Sequence, residues 1–128
     1  MDVSNIKVLV VDDEIVVCSN VAAFLEDEGF TVFSANSGEE AFDFIMKQKI
    51  DVAIIDIRLP GMDGNMLIVK AHEIRPELKF LIHTGSTDYF VSESLNEIGV
   101  HNEMIFRKPL VDLSVLTKGI LSLLEGKI

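Results

Sequence analysis

Three stretches of this chain are apolar almost without interruption: Ile6–Val11 (IKVLVV), Val52–Ile55 (VAII) and Phe80–Ile82 (FLI). None alternates apolar and polar residues with a period of two. A strand with one wet face would alternate, whereas an unbroken run calls for cover on both faces, as in parallel sheets layered between helices. Two weaker runs, Thr31–Ser34 (TVFS) and Met104–Phe106 (MIF), are the remaining strand candidates.

Helix-length amphipathic segments lie between these runs. Glu14–Glu28 sets Val17, Val21, Phe24 and Leu25 on one stripe and stops at Gly29. Ser37-Gly-Glu-Glu40 has capping-box spacing, with Ala41, Phe44 and Ile45 as the apolar face behind it. Asn65–Ile74 carries Leu67, Ile68, Ala71 and Ile74 and ends before Pro76; Asp112–Leu124 repeats the pattern. Ser86–Ile98 is the fourth and least regular helix. Strand and helix thus alternate about five times, which predicts right-handed βαβ units and an α/β, doubly wound parallel sheet with helices on both faces. No linker, repeat or low-complexity stretch interrupts residues 1–128, so one domain is expected.

Charge narrows the function. Lys plus Arg is 11 and Asp plus Glu is 21, a net charge of −10, which repels phosphate backbones and argues against unaided binding to nucleic acid or an anionic membrane. The single cysteine, Cys18, can neither close an internal disulfide nor build a zinc site, as suits a reducing cytoplasm. Every apolar run falls well short of the roughly 18 residues of a membrane helix. The polar start MDVSNIK is unlike a secretory signal.

In a doubly wound sheet, sites form beyond the carboxyl ends of the strands. The first run exits into Asp12-Asp13-Glu14, the third strand into Asp56, the fourth into Thr84-Gly85-Ser86 and the fifth into Arg107-Lys108-Pro109. Singly, each has an ordinary structural role. Asp12 or Asp13 could cap a helix, Asp56 could open a turn, Thr84 could bond to backbone and Lys108 could be a solvated charge. Together they place three carboxylates, a hydroxyl and an ammonium on one rim. Carboxylates about 5 Å apart repel by roughly 3 kcal/mol at an effective dielectric near 20, so they call for a cation or a shared proton. Oxygen ligands in a hydrated cleft suit Mg²⁺. Such an ion would leave one carboxylate free for in-line attack on phosphorus, with Thr84 and Lys108 neutralising the equatorial oxygens. Asp56, on the central buried strand, is the expected nucleophile; Asp12 and Asp13 are the expected metal ligands.

These residues resemble the receiver domain of two-component response regulators. The match runs over the whole chain: Asp12-Asp13 after VLVV, Asp56 within DIRLPGMDG, Thr84-Gly85 after FLIH, and Lys108-Pro109. The resemblance implies a flavodoxin-like fold with strand order 2-1-3-4-5 and a phosphoryl group received from a histidine kinase or phosphotransfer protein. It further implies Asp56 as phosphoacceptor, Mg²⁺ held by Asp12, Asp13, Asp56 and the backbone carbonyl of Arg58, Thr84 as switch hydroxyl, Lys108 as phosphoryl partner, and a cis peptide before Pro109.

Three departures from the family pattern stand out. Ile105 occupies the place of the usual aromatic three residues before the lysine, and alternation turns the neighbouring Phe106 to the other face. The stretch Gly99–Lys108 is about two residues longer than usual. Arg58 and Ser86 occupy positions that tune dephosphorylation in the family, and Arg58 is expected to pair with the phosphoryl group or shield it from water, slowing hydrolysis. Other polar groups carry no assignment: His72, His83 and His101 lack ligand-spaced partners, Cys18 is a core residue, Met62 and Met66 are packing, and Lys47, Lys49 and Lys127 are solvated charges.

The expectation is thus a stand-alone signalling module rather than a turnover enzyme, acting by contact with a downstream protein target, as a monomer or a phosphorylation-linked dimer. No helix-turn-helix or catalytic segment follows the last predicted helix, and Met1 fits a complete product. The competing readings are a small Mg²⁺-dependent phosphohydrolase using an aspartyl-phosphate, a flavin-binding module, and a degenerate receiver that binds partners unphosphorylated. The first usually carries a second Asp two residues after the nucleophile, where this chain has Arg58. The second needs a Gly- and hydroxyl-rich loop where this chain has Asp12-Asp13-Glu14.

Overall fold

All four residues of Val52–Ile55 are buried, as a strand covered on both faces must be. The computed structural model describes residues 2–126, so the expected solvated charge at Lys127 lies outside the described residues. The strands are β1 (Lys7–Val11), β2 (Thr31–Ala35), β3 (Val52–Ile55), β4 (Lys79–Thr84) and β5 (Ile105–Arg107). They form one parallel sheet in the order β2-β1-β3-β4-β5, the predicted flavodoxin-like arrangement. Chain direction across the sheet reverses between β1 and β3. Val11 pairs with both Ala35 and Ile55, so the next residues, Asp12 and Asp56, leave neighbouring strands side by side.

The helices are α1 (Ile15–Asp27), α2 (Gly38–Lys47), α3 (Gly64–Ile74), α4 (Glu93–Glu97) and α5 (Ser114–Leu124). Helix α1 buries Cys18, Val21 and Leu25 against the sheet and ends at Gly29, whose φ of 105° suits a residue without Cβ. Ser37 Oγ accepts the Glu40 N–H at 3.0 Å, the predicted cap of α2. Its reciprocal arm is displaced by one residue, Glu40 Oε1 accepting the Asn36 N–H at 2.6 Å. Asp63 caps α3 through the Met66 N–H at 2.9 Å.

Alternation along β4 sorts the helices onto two faces. A Cβ on Gly119 of α5 would meet Leu81 and Phe106, whereas one on Gly64 of α3 would meet Ile55, which pairs with Ile82. Leu81, His83 and Phe106 therefore face α5, and Ile55, Ile82 and Ile105 face the side of α3. Phe106 points away from the α3 face, as alternation predicts.

Two expectations need correction. The helix predicted over Ser86–Ile98 shrinks to Glu93–Glu97, because side chains from outside the segment hold its first half in another shape and a cap within it sets the helix start. The carbonyls of Ser86 and Tyr89 accept from Arg107, Asn102 Oδ1 takes the Val91 N–H, and Ser92 Oγ caps the helix only at Leu95. The strand placed at Met104–Phe106 is Ile105–Arg107, while Asn102–Met104 forms a 3₁₀ turn. That turn lies within the long Gly99–Lys108 stretch.

Candidate functional site

The carboxyl ends of β1, β3, β4 and β5 share one rim. Asp12 continues the β1 ladder, its N–H bonded to Ala35 O, and Asp56 does the same through Val11 O. Both side chains are held at the sheet edge rather than at a loop tip, and their residues are only 2% and 4% exposed. Asp13 is exposed beside them, and one carboxylate oxygen each from Asp12, Asp13 and Asp56 lies within 4.8 Å of the others.

One cation stands among these acids. Lys108 Nζ is 2.7 Å from Asp12 Oδ2, 3.1 Å from Asp56 Oδ2 and 3.1 Å from Glu14 Oε1. Burial opposes charge on this lysine, but the contacts with Asp12 and Asp56 outweigh it and hold its pKa well above the ordinary value. Burial pushes the Asp12 carboxyl up, against the lowering effect of Lys108 and of the Glu14 N–H donated to Oδ1 at 2.9 Å. Four carboxylates and one ammonium leave an excess of negative charge in a partly dry pocket. A hard divalent cation with oxygen ligands fits that donor set.

The loop after β3 is clamped at both ends. Arg58 N–H donates to Asp56 Oδ1 at 3.3 Å, and Gly64 N–H to Ile57 O at 2.9 Å. At its outer end, the Met62 N–H bonds Glu39 Oε2 at 3.0 Å, beside Gly61 with φ of 70°. Arg58, whose backbone carbonyl is the expected fourth metal ligand, belongs to this clamped loop two residues after Asp56. Gly64 allows α3 to start against β3, since a Cβ there would lie 2.5 Å from Asp56 O and 2.7 Å from Ile57 Cα.

Thr84 is fully buried at the end of β4, and its Oγ1 accepts the Ser86 N–H at 3.1 Å. Arg58 Nη2 reaches Ser86 Oγ at 3.2 Å, joining the loops after β3 and β4. The Lys108–Pro109 peptide is cis, as the resemblance implies. Two site contacts were not assigned from sequence: Glu14 on Lys108, and Asn36 Nδ2 on the Asp12 carbonyl at 2.9 Å. The acidic triplet Asp12-Asp13-Glu14 hinted at the first. The second joins residues 24 apart and has no local signature.

His83, on the α5 face of the sheet and 5% exposed, lines a cleft of about 480 Å³ between α1 and the start of α5 with Glu14, Val17, Val21, Lys108 and Leu113. Among the described residues its Nε2 has no hydrogen-bond partner. Burial, then the Lys108 charge, lower its pKa to about 4. An unfolded histidine titrates near 6.5, so between pH 6.5 and 4 the unfolded chain binds more protons and stability falls on acidification. From pH 7 to pH 5 the His83 share of this loss is about 2 kcal/mol. Urea titrations of the protein and of His83→Leu at both pH values check this: the variant should lose that much less. Equal losses in the two proteins would refute it.

Comparisons with known proteins agree with this geometry. Residues 8–118 match the family described as the response regulator receiver domain. Sporulation initiation phosphotransferase F of Bacillus subtilis is 28% identical over 105 residues, covering 82% of this chain and 83% of that protein. Transcriptional regulatory protein ZraR of Escherichia coli is 32% identical over 106 residues, 83% of this chain but only 24% of that longer protein. A CheY-like receiver domain from Methanospirillum hungatei superposes with a TM-score of 0.80 at 27% identity, covering 95% of each chain. Sheet order, the acidic rim of β1 and β3 and the match over residues 8–118 converge: this chain belongs to the response regulator receiver family of two-component signalling.

Proposed function

We propose that residues 1–128 act as one receiver domain that takes a phosphoryl group onto Asp56 from the phosphohistidine of a histidine kinase or phosphotransfer protein. The reading is carried by one observation: Asp12, Asp13 and Asp56 place carboxylate oxygens within 4.8 Å of one another while Lys108 Nζ lies 3.1 Å from Asp56 Oδ2. An Asp56 oxygen attacks phosphorus as the P–N bond to the donor imidazole breaks. The leaving imidazole takes up a proton, and an acyl phosphate remains. Asp12, Asp13, Asp56 and the Arg58 carbonyl would hold Mg²⁺, which supplies charge neutralisation at the phosphoryl oxygens. Lys108 moves from Asp12 onto one phosphoryl oxygen, and the Thr84 hydroxyl donates to another. Water supply to the acyl phosphate is set by Arg58 and Ser86, whose hydrogen bond links the loops after β3 and β4.

The consequence is a change in protein contacts rather than turnover of a substrate: a downstream protein target is recognised by the phosphorylated form, monomeric or dimeric, in the cytoplasm. Among the described residues no helix is long and apolar enough to cross a membrane. Partners are proteins rather than nucleic acid, given the net charge of −10.

Intact-mass analysis after incubation with Mg²⁺ and acetyl phosphate tests the reading. A labile adduct of one phosphoryl group should form and should be absent from Asp56→Asn. Continuous release of phosphate from many esters would mark a phosphohydrolase, a tightly held yellow cofactor a flavin module, and no adduct a degenerate receiver. Arg58→Ala should shorten the adduct's lifetime several-fold; an unchanged or longer lifetime would remove the shielding role.

A further inference from the structure

Asp13 is the one acid of the triad without a fixed partner. Asp12 and Asp56 are nearly inaccessible and both reach Lys108. Asp13 is exposed, and among the described residues no hydrogen bond or ion pair holds its carboxylate. The direction in which this side chain leaves the backbone therefore depends on the plane of the peptide joining Asp12 to Asp13. Among the described residues one hydrogen bond holds that peptide: Asn36 Nδ2 donates to the Asp12 carbonyl oxygen at 2.9 Å.

Asn36 is itself well anchored. It follows Ala35, the end of β2, whose carbonyl takes the Asp12 N–H. Its own N–H donates to Glu40 Oε1 at 2.6 Å, in the first turn of α2. The start of that helix is also pinned from the side of the loop after β3. Glu39 Oε2 accepts the Met62 N–H at 3.0 Å, and a Cβ on Gly38 would collide with Met62 O. The first turn of α2 thus braces the Asp12-Asp13 stretch through Asn36 and the loop after β3 through Glu39.

We propose that Asn36 is a positioning residue for the metal site, fixing the Asp12–Asp13 peptide so that the Asp13 carboxylate suits a small octahedral ion. The inference rests on the Mg²⁺ ligand set proposed above and names what makes that set selective. Mg²⁺ requires near-ideal octahedral geometry with bonds of about 2.0–2.1 Å, whereas Ca²⁺ accepts irregular bonds of about 2.3–2.6 Å. The two ions carry the same charge, so attraction to the acids is common to both and geometry separates them. Groups that orient a ligand from behind tune the metal in this way. A peptide held by Asn36 favours the demanding ion, and a freed peptide penalises Mg²⁺ more than Ca²⁺.

Isotope-labelled full-length protein is titrated with Mg²⁺ and, separately, with Ca²⁺, following the backbone amides of residues 12–14 and 56–58 by NMR. Asn36→Ala should bind Mg²⁺ about fivefold more weakly, the order of one hydrogen bond, while its Ca²⁺ affinity stays within about twofold. Asn36→Asp is the second variant. It keeps the shape, has no donor for the Asp12 carbonyl, and adds a charge that both ions feel alike. Its preference for Mg²⁺ over Ca²⁺ should fall by the same factor as in Asn36→Ala, whatever the added charge does to the two absolute affinities. A merely structural role would lower stability without moving this ratio. An unchanged or increased Mg²⁺ preference in either variant overturns the proposal, including the case in which both affinities fall together as general loosening would give. A responsive wild type with an unmoved ratio in the variants removes the role of Asn36 alone. A wild type whose amides do not respond to Mg²⁺ removes the metal reading with it.

Discussion

Replacing Lys108 with Met should destabilise the protein by about 3 kcal/mol at neutral pH without Mg²⁺, the usual order for removing one partner of a buried ion pair. Asp12 and Asp56 are nearly inaccessible, and Lys108 is the cation that touches both. Without it the carboxylates face one another. The Asp12 carboxyl, already pushed up by burial, loses the lowering effect of Lys108 and rises further, so the loss is full at neutral pH and shrinks on acidification as Asp12 takes up a proton. Two further measurements identify the cause. Millimolar Mg²⁺ should restore most of the lost stability, and Mg²⁺ should bind the variant more tightly than the wild type, since the ammonium no longer occupies Asp12 Oδ2. Phosphoryl uptake should nonetheless fall by at least about a hundredfold, in line with losing one charge-stabilising group. An equal stability loss with and without Mg²⁺ would show that Lys108 acts by packing instead. In the wild type the raised Lys108 pKa means that its contribution is undiminished below the unfolded value near 10.4 and declines only at higher pH.

Gly64→Ala should damage both the fold and the site. The added carbon would meet Asp56 O at 2.5 Å and Ile57 Cα at 2.7 Å, and both obstacles are backbone that cannot rotate away. Overpacking of this kind costs about 1–3 kcal/mol or more, and relief must come from moving α3 or the end of β3. Either displaces Asp56 from Lys108 and from the other acids. A fall in thermal stability together with weaker Mg²⁺ binding is therefore expected. Gly85→Ala is the control, since a Cβ there meets nothing within 4 Å. Should Gly64→Ala match Gly85→Ala in both measurements, the close approach of α3 to β3 would not set the geometry of the site.

What could be read from sequence follows the range of the interactions. The strands were legible because IKVLVV and VAII bury both faces, and the acids were legible because strand ends in a doubly wound sheet point to one rim. The Ser37 cap acts within three residues, so it too left a local trace. The stretch after Thr84 did not. Its composition permits helix, and Arg107, 18 and 21 residues onward, selects another backbone by taking the Tyr89 and Ser86 carbonyls. The same holds for Glu39, whose bond to the Met62 N–H spans 23 residues, and for Glu14, 94 residues from Lys108. His83 carries no assignment from sequence, because it lacks ligand-spaced partners. Only its neighbours across the sheet show it to be buried without a partner for Nε2 among the described residues.

The brevity of β5 bears on how copies of this protein can meet. An outermost strand is an invitation to further pairing, because its outward N–H and C=O groups lack partners. Here that strand is three residues long, carries Arg107, and is bounded by a 3₁₀ turn on one side and Pro109, which has no N–H, shortly after it on the other. A second chain would find almost no ladder to extend along this border. Self-association on that side must therefore run through side chains of the flanking helices, where it can be made and undone, rather than through a continuous intermolecular sheet.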